Sequence, residues 1–161
     1  MTSSEQEIIN TRQTMAPIDI TGIATALGLS VYDDTALEEG VSGMICQDSS
    51  PDSPSGYRIN VNPNDSYRRQ RFTIAHECAH YLLHRSKIGD GITDNAMYRS
   101  DKMTTDEEFE ANNLAADLIM PRNLVLKHYK QGTETYNQMA DLFDVSVPAM
   151  RVRLRYLLYL R

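Results

Sequence analysis

The chain has 161 residues, 41% hydrophobic and 24% charged, which suits one globular domain with or without a small appendage and excludes collagen-like, low-complexity and wholly disordered chains. Sixteen Lys and Arg against 22 Asp and Glu give a net charge of −6, so a general nucleic-acid-binding surface, which needs a basic excess, is not expected. Cys46 and Cys78 are too few for a disulfide framework and form no C-x-x-C pair. The N-terminus MTSSEQEIINTRQT lacks the basic and apolar regions of a signal peptide, and no run is long enough to span a bilayer. The sequence thus predicts a cytoplasmic protein with no membrane partner.

Residues 1–16 are polar without a sustained apolar stripe and are expected as a flexible tail or a loose first helix. Pro17 marks a helix start, after which Ile20, Ile23, Ala24 and Leu27 keep helical spacing up to Gly28. Val41 to Cys46 and Tyr57 to Val61 read as two short strands, joined by the turn-rich loop QDSSPDSPSG. A long helix follows from Tyr67 to His84, and residues 86–103, which carry no clear period, are expected to form a mobile connection. A second long helix runs from Thr105 to Met120, opened by a capping box of Thr104 and Glu107. Another helix begins near Pro121. The end, TYNQMADLFDVSVPAMRVRLRYLLYL, holds two helical patterns separated by Asp144-Val145-Ser146. The organisation expected is a tail over 1–16, a main domain over 17–130 and a small helical segment over 131–161.

The strongest chemical signal is His76-Glu77-Cys78-Ala79-His80, an H-E-x-x-H sequence. At about 100° per residue the two histidines differ by only about 40° and lie roughly 6 Å apart along the axis. Both imidazoles can reach one Zn2+, with Glu77 beside them. Zinc brings the pKa of a bound water towards neutrality, and a carboxylate can then take its proton and pass it to a leaving amine. Phe72, Ala75, Ala79 and Leu83 predict an apolar face around the histidines.

A catalytic zinc keeps three protein ligands. His84 lies eight residues from His76, about 12 Å along a continuous helix, too far to share one ion. The metzincin arrangement, with a helix-breaking Gly and a third His, is excluded because Leu83 and Ser86 occupy those positions. The downstream acids are Asp106, Glu107, Glu108 and Glu110. Glu108 shares the face marked by Ala111, Ala115, Leu118 and Ile119, Glu110 points nearly opposite, and Glu107 is engaged in the capping box. Glu108 is therefore the preferred third ligand and Glu110 the alternative. Asn112, one turn after Glu108, is placed to hydrogen-bond a zinc-binding histidine.

The segments RQRFTIAHECAHYLLH (69–84) and EFEANNLAADLIMP (108–121), with GMICQ and YRINVNP before them, closely resemble the ImmA/IrrE family of zinc metallopeptidases over residues 18–125. The resemblance implies an α+β, zincin-like (gluzincin-like) fold, with a small antiparallel sheet against the H-E-x-x-H helix and a helical C-terminal appendage. It implies one Zn2+ per chain held by His76, His80 and Glu108, the last opening the family's E-x-x-A-N pattern, and Glu77 as catalytic base. Cys78 stands where an aliphatic residue is usual and Leu114 where Phe is common. Family members cleave helix-turn-helix repressors of the phage-repressor type, so the implied function is endopeptidase cleavage of such a regulator. The alternative is a repressor-binding partner without proteolysis, or a toxin of a toxin–antitoxin-like module.

Cys78 lies about 200° around the helix from His76 and is expected in the core. His84 is expected to pack, with substrate orientation or contact with the second long helix as the alternatives, and Tyr81, Tyr98 and Tyr129 offer hydroxyls for a developing oxyanion without spacing that selects one. The C-terminal pattern resembles a helix-turn-helix carrying Arg151, Arg153 and Arg155, but Val147-Pro148-Ala149 stand where a DNA reader needs basic residues and Asp141 and Asp144 oppose phosphate. Direct DNA binding is not expected; a structural or repressor-docking role is.

Overall fold

The computed structural model describes residues 1–95, 103–130 and 135–159. Strands β1 (Ser30–Asp33), β2 (Val41–Gln47), β3 (Tyr57–Val61) and β4 (Ile92–Asn95) form one sheet in the order β1-β3-β2-β4. Strands β2 and β3 pair antiparallel, with Gly43 opposite Val61 and Gln47 opposite Tyr57. Their loop is closed by side chains, since Asp48 accepts from the Ser50 amide at 3.0 Å and from the Ser53 hydroxyl at 2.7 Å. The expected antiparallel sheet needs one correction: β1 runs parallel to β3, so the sheet is mixed. The connection expected over 86–103 also changes, because β4 pairs with β2 through Ile45 and Ile92. Residues 96–102 of that segment lie outside the described residues.

Helix α1 (Ser3–Arg12) occupies most of the expected tail. Thr2 and Glu5 form its capping box, Ile9 is buried, and Glu5 pairs with Arg85. Gln13 donates to the carbonyls of Asp117 and Leu118 at 2.8 and 3.0 Å. One buried isoleucine gives too weak a stripe to mark a helix; these polar ties supply the rest. Helix α2 (Ile20–Ala26) starts three residues after Pro17, capped by Asp19 accepting from the Gly22 amide.

Helix α3 (Tyr67–His84) lies on β2 and β3 and against α4 (Thr105–Ile119). Ser66 caps it by accepting from the Arg69 amide at 3.2 Å, and Thr104 and Glu107 cap α4 as a capping box. Gly43 lets α3 approach the sheet: a Cβ there would fall on Thr73 Cγ2 and lie 3.0 Å from the Asn60 carbonyl. Thr73 is fully buried and β-branched, so it has little room to yield.

Helices α5 (Arg122–Lys130), α6 (Tyr136–Phe143) and α7 (Val147–Tyr159) follow. Met139, Phe143, Met150, Leu154 and Leu157 belong to the same core cluster as Ile45, Ile59 and Ile74. Asp144, the left-handed residue between α6 and α7, receives Arg68 Nε at 3.1 Å, and its carbonyl accepts from Arg71 Nε at 3.1 Å. Arg153 is buried, donating to the Met120 carbonyl at 3.0 Å and pairing with Asp117. One of the three arginines considered for DNA contact is thus a structural clamp. No helix among the described residues is long and apolar enough to cross a membrane.

Candidate metal centre

Helix α3 is enclosed on nearly every side. Ile74, Ala75, Cys78, Ala79 and Leu82 are buried, as are His76, Glu77, His80 and His84. The expected stripe is corrected at its end, since Leu83 is 42% exposed, while Ile74, Cys78 and Leu82 are buried in the core. Cys78 is core, and burial pushes its thiol well above the usual range.

His76 Nε2 and His80 Nε2 lie 3.0 Å apart. From α4, the carboxylate of Glu108 meets both, with Oε2 3.3 Å from His76 Nε2 and Oε1 3.6 Å from His80 Nε2. Hydrogen bonds from His76 and then His80 hold the Glu108 carboxyl far below its ordinary range. Desolvation lowers the His80 pKa, against the opposing pull of Glu108, and so favours the neutral imidazole that a metal requires.

Partners at the other ring nitrogens can hold the tautomers that a metal requires. His76 Nδ1 lies 3.1 Å from Asn112 Oδ1, an acceptor, so the neutral ring carries its proton on Nδ1. His80 Nδ1 lies 3.1 Å from His84 Nδ1, and His84 Nε2 lies 3.3 Å from Glu110 Oε2. When both rings carry their proton on Nδ1, as metal binding requires, two imidazole lone pairs and a carboxylate converge on one point. Those three groups repel unless a cation sits among them. Tetrahedral zinc with ligand distances of about 2.0–2.1 Å separates its ligand atoms by roughly 3.3 Å, close to the spacing seen. The donor set therefore fits a metal ion, and His76, His80 and Glu108 are the group among the described residues whose ligand atoms lie within 4.8 Å of one another.

Residues 36–155 match the IrrE N-terminal-like domain of peptidase family M78. The chain belongs to this family. No curated protein matches it. A transcriptional regulator from Mycobacterium tuberculosis superposes with a TM-score of 0.57 at 14% identity, over 96% of this chain and 47% of the regulator. That likeness shows a shared fold, and the chain spans about half of the regulator's length.

Within this M78 domain, Glu110 points away from the three-residue cluster and instead receives His84, the contact with the second long helix that the sequence offered as an alternative to simple packing. Glu107 is tied to Lys87 as well as to its capping box, and these contacts lower its carboxyl to about 2. Phe72 stacks over His76, with centroids 6.5 Å apart and planes at 25°. Among the tyrosines considered for an oxyanion role, Tyr81 is buried beneath Arg85, whose guanidinium lies 3.9 Å from the ring centroid, and it meets Tyr57 edge-on. Tyr129 is 40% exposed on α5, and Tyr98 lies outside the described residues.

Proposed function

We propose that the protein is a zinc-dependent endopeptidase that cuts a helix-turn-helix transcriptional repressor. The observation that carries this reading is the convergence of His76, His80 and Glu108 on one point, with Glu77 fully buried on the same helix. Membership in a peptidase family supports the reaction class.

His76, His80 and Glu108 would hold the ion. When bound, zinc polarises a scissile carbonyl and acidifies water at neutral pH. Asn112 and His84 keep the two imidazoles in the tautomers that leave Nε2 free. A Glu77 carboxylate oxygen takes the proton of the attacking water and returns it to the departing amine, so the carboxylate ends as it began. The sheet and α4 hold this constellation rigidly, as proton transfer requires.

The repressor reading rests on the family resemblance and on charge. A net charge of −6 favours encounter with the basic DNA-binding face of a repressor, so association weakens as salt rises. Attack on a peptide carbonyl needs an extended segment, which directs cleavage to a linker or a locally unfolded helix. Zinc-loaded protein is incubated with helix-turn-helix proteins of the phage-repressor type, with and without their operator DNA, and new termini are mapped by mass spectrometry. Cleavage slowed by the operator is expected. Tight stoichiometric binding without cleavage would favour a titrating partner instead.

A further inference from the structure

A cavity of about 460 Å³ opens between α4 and α7, beside the metal centre. Its walls include Phe72, Phe109, Ala116, Pro148, Val152 and Tyr156. We infer that this groove receives a bulky apolar side chain of a peptide substrate flanking the bond to be cut, an inference that rests on the peptidase reading and assigns its specificity.

Continuity comes first. Phe72, which stacks over His76, is also a wall of the groove, and so is Asn112, which accepts from His76 Nδ1. The groove therefore begins at residues touching a proposed ligand. An extended peptide advances only about 3.3 Å per residue, so a backbone at the metal centre places an adjacent side chain in reach of it.

Exposure is the second argument. Phe109, Val152 and Tyr156 are 65%, 68% and 48% exposed, and all three border this one cavity. A contiguous exposed apolar patch rimmed by polar groups marks a binding surface, and the volume is that of a ligand pocket.

Charge decides the class of side chain. Arg153 is the cation lining the groove, yet its guanidinium is committed to the Met120 carbonyl and Asp117. No cation among the lining residues remains to receive an acidic side chain, and an ionised group would lose hydration against apolar walls. The occupant is therefore aliphatic or aromatic. Burying such a side chain, at about 1.5–3 kcal/mol, corresponds to roughly a 10–100-fold preference over a small one.

The test uses zinc-loaded full-length protein and a randomised synthetic decapeptide library, with cut positions read by mass spectrometry. Leu, Met, Phe and Tyr should be enriched at one position flanking the cut. Val152→Asp and Phe109→Asp, both at exposed positions, should lower the ratio of bulky to small residues there by about 10-fold, with metal content retained. Arg155→Ala, on the same helix but outside the groove, should leave the ratio unchanged. An unaltered ratio in both aspartate variants overturns the inference while the peptidase reading stands. If wild-type protein cuts nothing, fluorescence anisotropy with labelled Gly/Ser decapeptides carrying one central Phe or Ala decides the matter. A Phe preference lost in Val152→Asp keeps the groove and discards the peptidase. Equal binding of both probes, or self-association abolished by the same variants, discards the groove as a substrate site.

Discussion

His80 and His84 face each other across one turn of α3, their Nδ1 atoms 3.1 Å apart. His80 turns its other nitrogen towards His76 and Glu108, and His84 turns its own towards Glu110 at 3.3 Å. The pair forms a chain from the solvent-facing Glu110 to the centre, in which a proton donated by His84 Nε2 to Glu110 leaves His84 Nδ1 free to accept from His80. Contacts of this kind typically contribute 10–100-fold to metal affinity. His84→Ala should therefore weaken zinc binding by about that factor, measured by competition with a chromophoric chelator, while circular dichroism remains that of the folded chain. Wild-type affinity in this variant would show that His84 only packs.

The two glutamates of α4 should separate in the same assay. Glu108 meets both histidines directly, whereas Glu110 acts through His84. Glu108→Ala should cost far more zinc affinity than Glu110→Ala, and His76→Ala and His80→Ala should resemble Glu108→Ala. Equal losses, or a larger one from Glu110, would displace Glu108 as the third ligand.

Gly43 sets the distance between the sheet and α3, and through it the position of both histidines. Gly43→Ala forces a methyl group onto Thr73 and towards the Asn60 carbonyl. Overpacking of this kind costs about 1–3 kcal/mol. Urea unfolding should show a lower midpoint with an unchanged slope. An unchanged midpoint would mean that α3 can lift from the sheet freely.

Much of the centre was legible because its information is local. His76, Glu77 and His80 sit within one turn of one helix, and helical period alone separated Glu108 from Glu110. The hidden parts depend on distant partners. Strands β1 and β4 are four residues each, too short to show a period, and the parallel pairing of β1 with β3 has no signature in either segment. Helix α1 owes its place to Glu5 on Arg85 and Gln13 on the end of α4. The apolar groove was invisible because Phe72, Phe109 and Val152 come from three helices, and Val152 reads in sequence as one more residue of an amphipathic stripe.

The tie between α1 and Arg85, the residue that follows α3, carries a pH signature. Burial would raise the Glu5 pKa, but the Thr2 amide and Arg85 outweigh it, and the net shift is downward. A carboxyl depressed in the folded chain contributes stability that is complete above its unfolded pKa, near 4.3, and is lost as pH falls through the lower folded value. Glu5→Gln should therefore flatten the acid limb of the stability curve below about pH 4.3, read by urea unfolding across pH. Parallel acid limbs for wild type and variant would remove Glu5 from the account.

The proposed peptidase mechanism turns on Glu77 as general base, a residue outside the three groups that converge as ligands. The most direct measurement compares the cleavage rate of the zinc-loaded wild-type protein with that of Glu77→Gln, with metal content determined on the same samples. A removed general base costs about 10²–10⁴-fold, so cleavage should fall by at least about that factor while one zinc per chain and the folded spectrum persist. Near-wild-type cleavage by Glu77→Gln at full zinc content would contradict the mechanism.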